Sequence, residues 1–234
     1  MNLSDIYIIK TLPFGETSNI YEIISNEQGR MSIIHKGAKK GNKNFPLSQF
    51  CPYKISWSGK SSLKYLKEYE SINNKIILSD KQKVIALYLN ELLYLLVPKD
   101  LKIDGLFDVY GEALYSLVND NNLLKTLNDY EITILEKCGH SIFLKSNLDN
   151  IPIKLEKKYL YISDYGPKET DNNDGISGKT FLALANEIDY DKETLIESRN
   201  LMKRVIDFYI KPRTIKTREI FKYIALDSDD KKNG

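Results

Sequence analysis

The hydrophobic period of this chain changes once, near residue 80. Before that point, short runs rich in β-branched residues alternate apolar and polar side chains. After it, apolar residues recur at helical spacing. A period of two buries one face of a strand, whereas a stripe at i, i+3, i+4 and i+7 buries one face of a helix. A chain carrying the two patterns in separate blocks is expected to fold as α+β, with a strand domain over 1–79 and a helical domain over 80–226.

The first block holds five candidate strands: 3–10 (LSDIYIIK), 17–25 (TSNIYEIIS), 30–36 (RMSIIHK), 53–58 (YKISWS) and 63–69 (LKYLKEY). Turns fall at Pro13-Phe14-Gly15, at Asn26 to Gly29 and at Ser58-Gly59-Lys60. Five short strands, read as antiparallel, predict a small closed barrel, with the OB-fold as leading candidate. In the second block Ser79-Asp80 supplies an N-cap, and Val84, Ile85, Tyr88, Leu89, Leu92 and Leu96 form a stripe that Pro98 ends. Further helices are expected at 106–118, 123–138, 179–188, 191–209 and 217–224. Between them, 140–176 reads as an irregular polar insert with a hairpin at 159–165. Residues 171–178 (DNNDGISG) read as a loop, and 227–234 as a flexible tail.

The formal net charge of +2 hides a strong asymmetry. Residues 1–65 carry nine Lys/Arg against four Asp/Glu, and residues 198–234 carry ten against five, while 81–197 carry thirteen against twenty. A basic front and a basic back suit a polyanionic partner. The front is concentrated at Gly29 to Lys43 (GRMSIIHKGAKKGNK), where a strand runs into Lys36, Lys39, Lys40 and Lys43 spaced by glycines. Lysine supplies charge and glycine lets the main chain come close, which fits a phosphate backbone.

Other chemistry finds few residues. Gly178-Lys179-Thr180 ends like a phosphate-binding loop, but Asn173 stands where the pattern needs glycine and no strand precedes it. His35 and His140 are the two histidines, too few for a conventional triad, and His35 alternates within a strand. Cys51 and Cys138 lie far apart without metal-ligand spacing, so they read as free core thiols in a reducing cytoplasm. The longest apolar run, Leu92 to Val97, is too short to span a bilayer, and Met1 to Lys10 lacks the layout of a signal peptide. Neither a membrane nor a small-molecule substrate is expected.

Ordered motifs then extend along the chain: Pro13 to Ser18 (PFGETS), Gly29-Arg30, Lys36 to Lys39 (KGAK), Gln49-Phe50 with Pro52, and Trp57 to Lys60. Leu63, Leu66 and Glu70 follow, then Tyr88 to Leu93 (YLNELL), Leu106-Phe107 with Tyr110, and Lys216 to Phe221 (KTREIF). In this order they resemble the RecO family of bacterial recombination and repair mediators, with Cys51 where that family has Thr. The resemblance implies an OB-fold on a helical domain and a non-enzymatic protein. Such a protein binds single- and double-stranded DNA and anneals complementary strands. It also implies work with RecR to load RecA on DNA covered by the single-strand-binding protein SSB, whose acidic C-terminal tail docks on the helical domain. The alternative from another class is an OB-fold adaptor that binds an acidic protein or RNA.

Candidate DNA contacts are Arg30, Lys36, Lys39, Lys40, Lys43 and Lys60 on the barrel, and Arg204, Arg213, Lys216 and Arg218 near the end. Phe50 and Trp57 are expected in the barrel core, and Glu16 at a turn. Asn90 and Glu91 are expected to tie the helical domain to the barrel. Zinc-bearing members hold four cysteines after the third helix. Here 138–168 contains Cys138 alone, so no zinc and no other cofactor is expected. Where other members present arginines to the SSB tail, this chain has Asn128 and Asp129, with Lys125 nearby, so that site is expected to be shifted or weaker.

Overall fold

A computed structural model describes residues 3–39, 46–59, 63–72, 76–119 and 122–220. Five strands form the first body: β1 (Ser4–Phe14), β2 (Ser18–Ser25), β3 (Gly29–His35), β4 (Pro52–Ser58) and β5 (Leu63–Ser71). They close in the order β1-β2-β3-β5-β4, so β1 pairs with both β2 and β4. This is the OB-fold barrel that the strand count predicted. Pro13 and Phe14, expected in a turn, continue β1 and pair with Asn19 and Ser18.

One pairing differs from expectation. β3 and β5 run parallel, with Ile33 opposite Lys64 and Ile34 opposite Tyr65. The reason is parity: an odd number of strands cannot close with every neighbour antiparallel. Period-two alternation carries no information about strand direction, so the pattern could not reveal this.

Inside the barrel, Ile6 and Ile8, Tyr21 and Ile23, Met31 and Ile33, and Tyr53 and Ile55 alternate inward around Leu47. Cys51, Trp57, Leu66 and Tyr69 pack against this core while partly exposed. Trp57, expected in the core, packs against its edge. Phe50 is half-buried at φ 66°, in the turn leading to β4.

Helices α1 (Asp80–Leu96) and α2 (Leu106–Asn119) belong to the same compact unit as the barrel. Ser79 and Gln82 form a reciprocal capping box that fixes the start of α1. Tyr7 on β1 meets the rings of Phe107 and Tyr110 on α2, each with centroids 5.0 Å away. The Tyr110 hydroxyl donates to Asn90 Oδ1 at 2.5 Å, so Asn90 reaches β1 through one aromatic ring. Glu91 does something else: its carboxylate accepts from the amides of Lys216 and Thr217 at 2.9 and 2.8 Å. It thereby caps the helical turn at 217–220 rather than tying the helices to the barrel.

The boundary expected at 79/80 therefore does not separate the compact units. One unit is Met1–Asn119 with Ile215–Gly234, and the other is Asp120–Thr214. An amphipathic stripe announces that a helix has a partner but not which one, and here β1 is the partner of α1 and α2.

The second unit contains α3 (Leu123–Lys137), β6 (Lys158–Ile162), β7 (Gly166–Thr170), β8 (Ile176–Ser177), α4 (Gly178–Leu184) and α5 (Lys192–Ile210). The expected hairpin is β6–β7, but the insert is more regular than the sequence implied. Ile176 and Ser177, assigned to a loop, pair with β6 and complete a sheet of order β7-β6-β8. Glu131 is fully buried on α3, and Arg199 of α5 holds it with two bonds of 2.6 and 3.0 Å. Asn128 accepts from the same guanidinium at 2.7 Å and donates to Ser198 at 2.9 Å.

Candidate nucleic-acid interface

Each expected contact can now be placed. Arg30 enters β3 beneath the C-terminus of α1, with its side chain 12% exposed. Its guanidinium donates to the carbonyls of Tyr94 and Val97 at 3.0 and 2.8 Å and to Glu22 at 3.2 Å, and it lies 4.4 Å from the Tyr94 ring centroid. The last carbonyls of a helix lack intrahelical donors, and a cation is favourable there. Four partners close around one cation and leave no open face for phosphate. These contacts give Arg30 a structural role at the end of α1.

Lys36 and Lys39 remain exposed just beyond β3. Lys39 joins the turn between β1 and β2, its amide donating to Thr17 O at 3.0 Å and its ammonium to Gly15 O at 3.2 Å. Lys36 Nζ lies 4.8 Å from the centroid of the Tyr65 ring. Lys40, Lys43 and Lys60 lie outside the described residues. Lys216 is exposed, and Arg218 is half-buried 5.8 Å from the Tyr88 ring. Arg204 and Arg213 are exposed but belong to the other unit, so the C-terminal basic group is divided between two bodies.

Where β3, β4 and β5 meet, the barrel has a groove of about 340 Å³, lined by His35, Lys36, Ser58, Tyr65, Leu66, Lys67 and Tyr69. A bulge between Ser56 and Trp57 re-registers β4 against β5 and sets Ser58 opposite Tyr65. Sequence reasoning assigned 63–69 to a strand and gave Tyr65, Lys67 and Tyr69 no role. The available signal was the alternation of aromatic and cationic side chains in LKYLKEY on a strand too polar to be buried on both faces. Burial lowers the pKa of His35, so the imidazole is neutral at pH 7.

Among the described residues, the groove lining holds one histidine and no cysteine or carboxylate. Burial pushes the Cys138 thiol up to about 11, so it stays protonated and a poor nucleophile at neutral pH. Among the described residues, no group of three or more His, Cys, Asp or Glu is arranged to hold a metal ion. Nor is any helix among them long and apolar enough to cross a membrane.

Residues 1–75 match the family model described as Recombination protein O N terminal. A protein named DNA repair protein RecO from Methylococcus capsulatus is 31% identical over 224 residues, 94% of this chain and 93% of its own length. The chain belongs to the RecO family. The Coxiella burnetii RecO is 31% identical over 227 residues, covering 93% of this chain and 97% of its own. The Polynucleobacter necessarius RecO is 29% identical over 226 residues, covering 92% and 93%. At the α3 position where the resemblance implies contact with the SSB tail, the chain has the buried Asn128 and an Asp129 paired with Lys125 at 2.6 Å.

Proposed function

We propose that this member of the RecO family is a non-enzymatic mediator of DNA repair and recombination. In this reading it binds single- and double-stranded DNA, anneals complementary strands, and acts with RecR to help load RecA on SSB-coated single strands. The observation that carries the reading is the exposed Lys36, lying over Tyr65 beside Lys67 on the groove of an OB barrel. Sheet faces of OB barrels engage single strands by combining cations that follow the backbone with aromatic rings that take up bases. Annealing follows from charge neutralisation: lysines on the phosphates reduce the repulsion between two approaching strands.

The SSB tail is acidic, and the negative Asp129 and buried Asn128 are poor partners for it. Arg204 and Arg213, exposed in that unit, stay with the DNA contacts. Strand annealing with SSB-coated oligonucleotides tests the whole reading. Complementary strands should pair faster in its presence, and RecR should co-elute with it. Affinity for bare single strands should fall linearly with log salt. An adaptor for acidic proteins would bind DNA with no dependence on strand length.

A further inference from the structure

We propose that the groove where β3, β4 and β5 meet is a subsite for one unpaired nucleobase, so that the protein reads the absence of base pairing and not phosphate charge alone. This rests on the DNA-binding reading above. At about 340 Å³ the groove falls at the small end of ligand sites, a fit for one base and not for a duplex. Its floor is His35, 4% exposed, with Tyr69 edge-on at 5.5 Å and Tyr21 at 6.0 Å. His35 Nδ1 is buried and has no hydrogen-bond partner among the described residues. A buried polar nitrogen without a partner is costly, and such atoms are uncommon in folded proteins. A neutral imidazole offers one donor and one acceptor, which suits the edge of a base.

The rim supplies what a base needs besides its edge. Tyr65 is 40% exposed, and the Lys36 ammonium lies over its ring, so a stacked base and its own phosphate would meet an aromatic plane and a cation together. Lys67 lines the same groove for the neighbouring phosphate. A base inside a duplex presents neither face and has its pairing edge occupied, so only an unpaired base can enter.

The test compares oligothymidylate with an abasic deoxyribose-phosphate polymer of the same length, which has the same charge and no bases. The native protein should bind oligothymidylate on the order of tenfold more tightly, as expected for one stacked base. Tyr65→Leu should remove most of that difference, weakening oligothymidylate binding more than binding of the abasic polymer. The two histidines give a second measurement on the native protein. Oligothymidylate should shift the imidazole nitrogen resonances of His35 and not those of His140, and the abasic polymer should shift neither. Equal affinity for the two polymers, or a motionless His35 signal, would overturn the subsite while leaving DNA binding intact. Failure to bind either polymer would overturn the DNA reading and the subsite together.

Discussion

Arg30 shows how a residue grouped with DNA contacts in the sequence can carry a structural role in the fold. It follows a turn glycine and precedes a lysine cluster, so charge alone grouped it with the DNA contacts. Its guanidinium instead satisfies two helix-terminal carbonyls and the buried Glu22. Removing one member of a buried pair strands the other, so Arg30→Ala should cost about 3–5 kcal/mol in urea unfolding. The salt slope of DNA binding by the folded fraction should not change. His35 carries a second residue-scale prediction. Its pKa is lowered in the fold, so below the ordinary histidine range, about 6.5, the unfolded chain takes up a proton that the native state resists. Stability should therefore be complete above that pH and decline as pH falls from about 6.5 toward the lowered value. Thermal melts between pH 7 and 5.5 should show the decline, and His35→Gln should flatten it.

At the scale of elements, the sequence was informative wherever one period dominated. All five barrel strands and the first three helices could be read from where Ile, Leu and Tyr recur. What could not be read depended on partners distant in sequence. Ile176 and Ser177 are only two residues long as a strand, and nothing in DNNDGISG signals pairing with Lys158 and Tyr159. Gly29 shows a similar limit. Its positive φ of 74° was legible as a turn glycine, but an added Cβ would lie 2.1 Å from Leu101 O, on a segment 72 residues later. Gly29→Ala should accordingly destabilise by more than about 1 kcal/mol, beyond the cost of a left-handed residue alone, in the same unfolding assay. The Tyr65–Lys67 groove was missed because alternating Lys and Tyr describes an exposed strand as well as a binding face. Only the closure of β5 on β3 sets His35 beside them.

At the scale of the whole molecule, the two basic ends suggested by charge counting remain, but the C-terminal set is shared between two compact bodies. That leaves Lys36 and Lys39 as the described members of the expected barrel DNA contacts for a salt test. Replacing both with Ala should flatten the dependence of log affinity on log salt by about 1.4 for single strands if each meets one phosphate. Filter binding across a salt series measures it, and an unchanged slope would move the phosphate surface to the C-terminal arginines and lysines. Zinc should be absent from the purified protein by elemental analysis, since a tetrahedral structural site needs four ligands and 138–168 offers Cys138 and His140.

Glu91 joins backbone amides 125 and 126 residues further along the chain. During synthesis the barrel, α1 and α2 leave the ribosome first, and the whole 120–214 unit follows before Lys216 and Thr217 emerge. Until then, the nascent first body exposes a carboxylate with nothing to cap. A ribosome stalled within α5 would hold a first body still missing the turn at 217–220. Completion of that body is thus tied to passage of the other through the exit tunnel, and a truncated product would carry the defect at Glu91, far from the site of truncation.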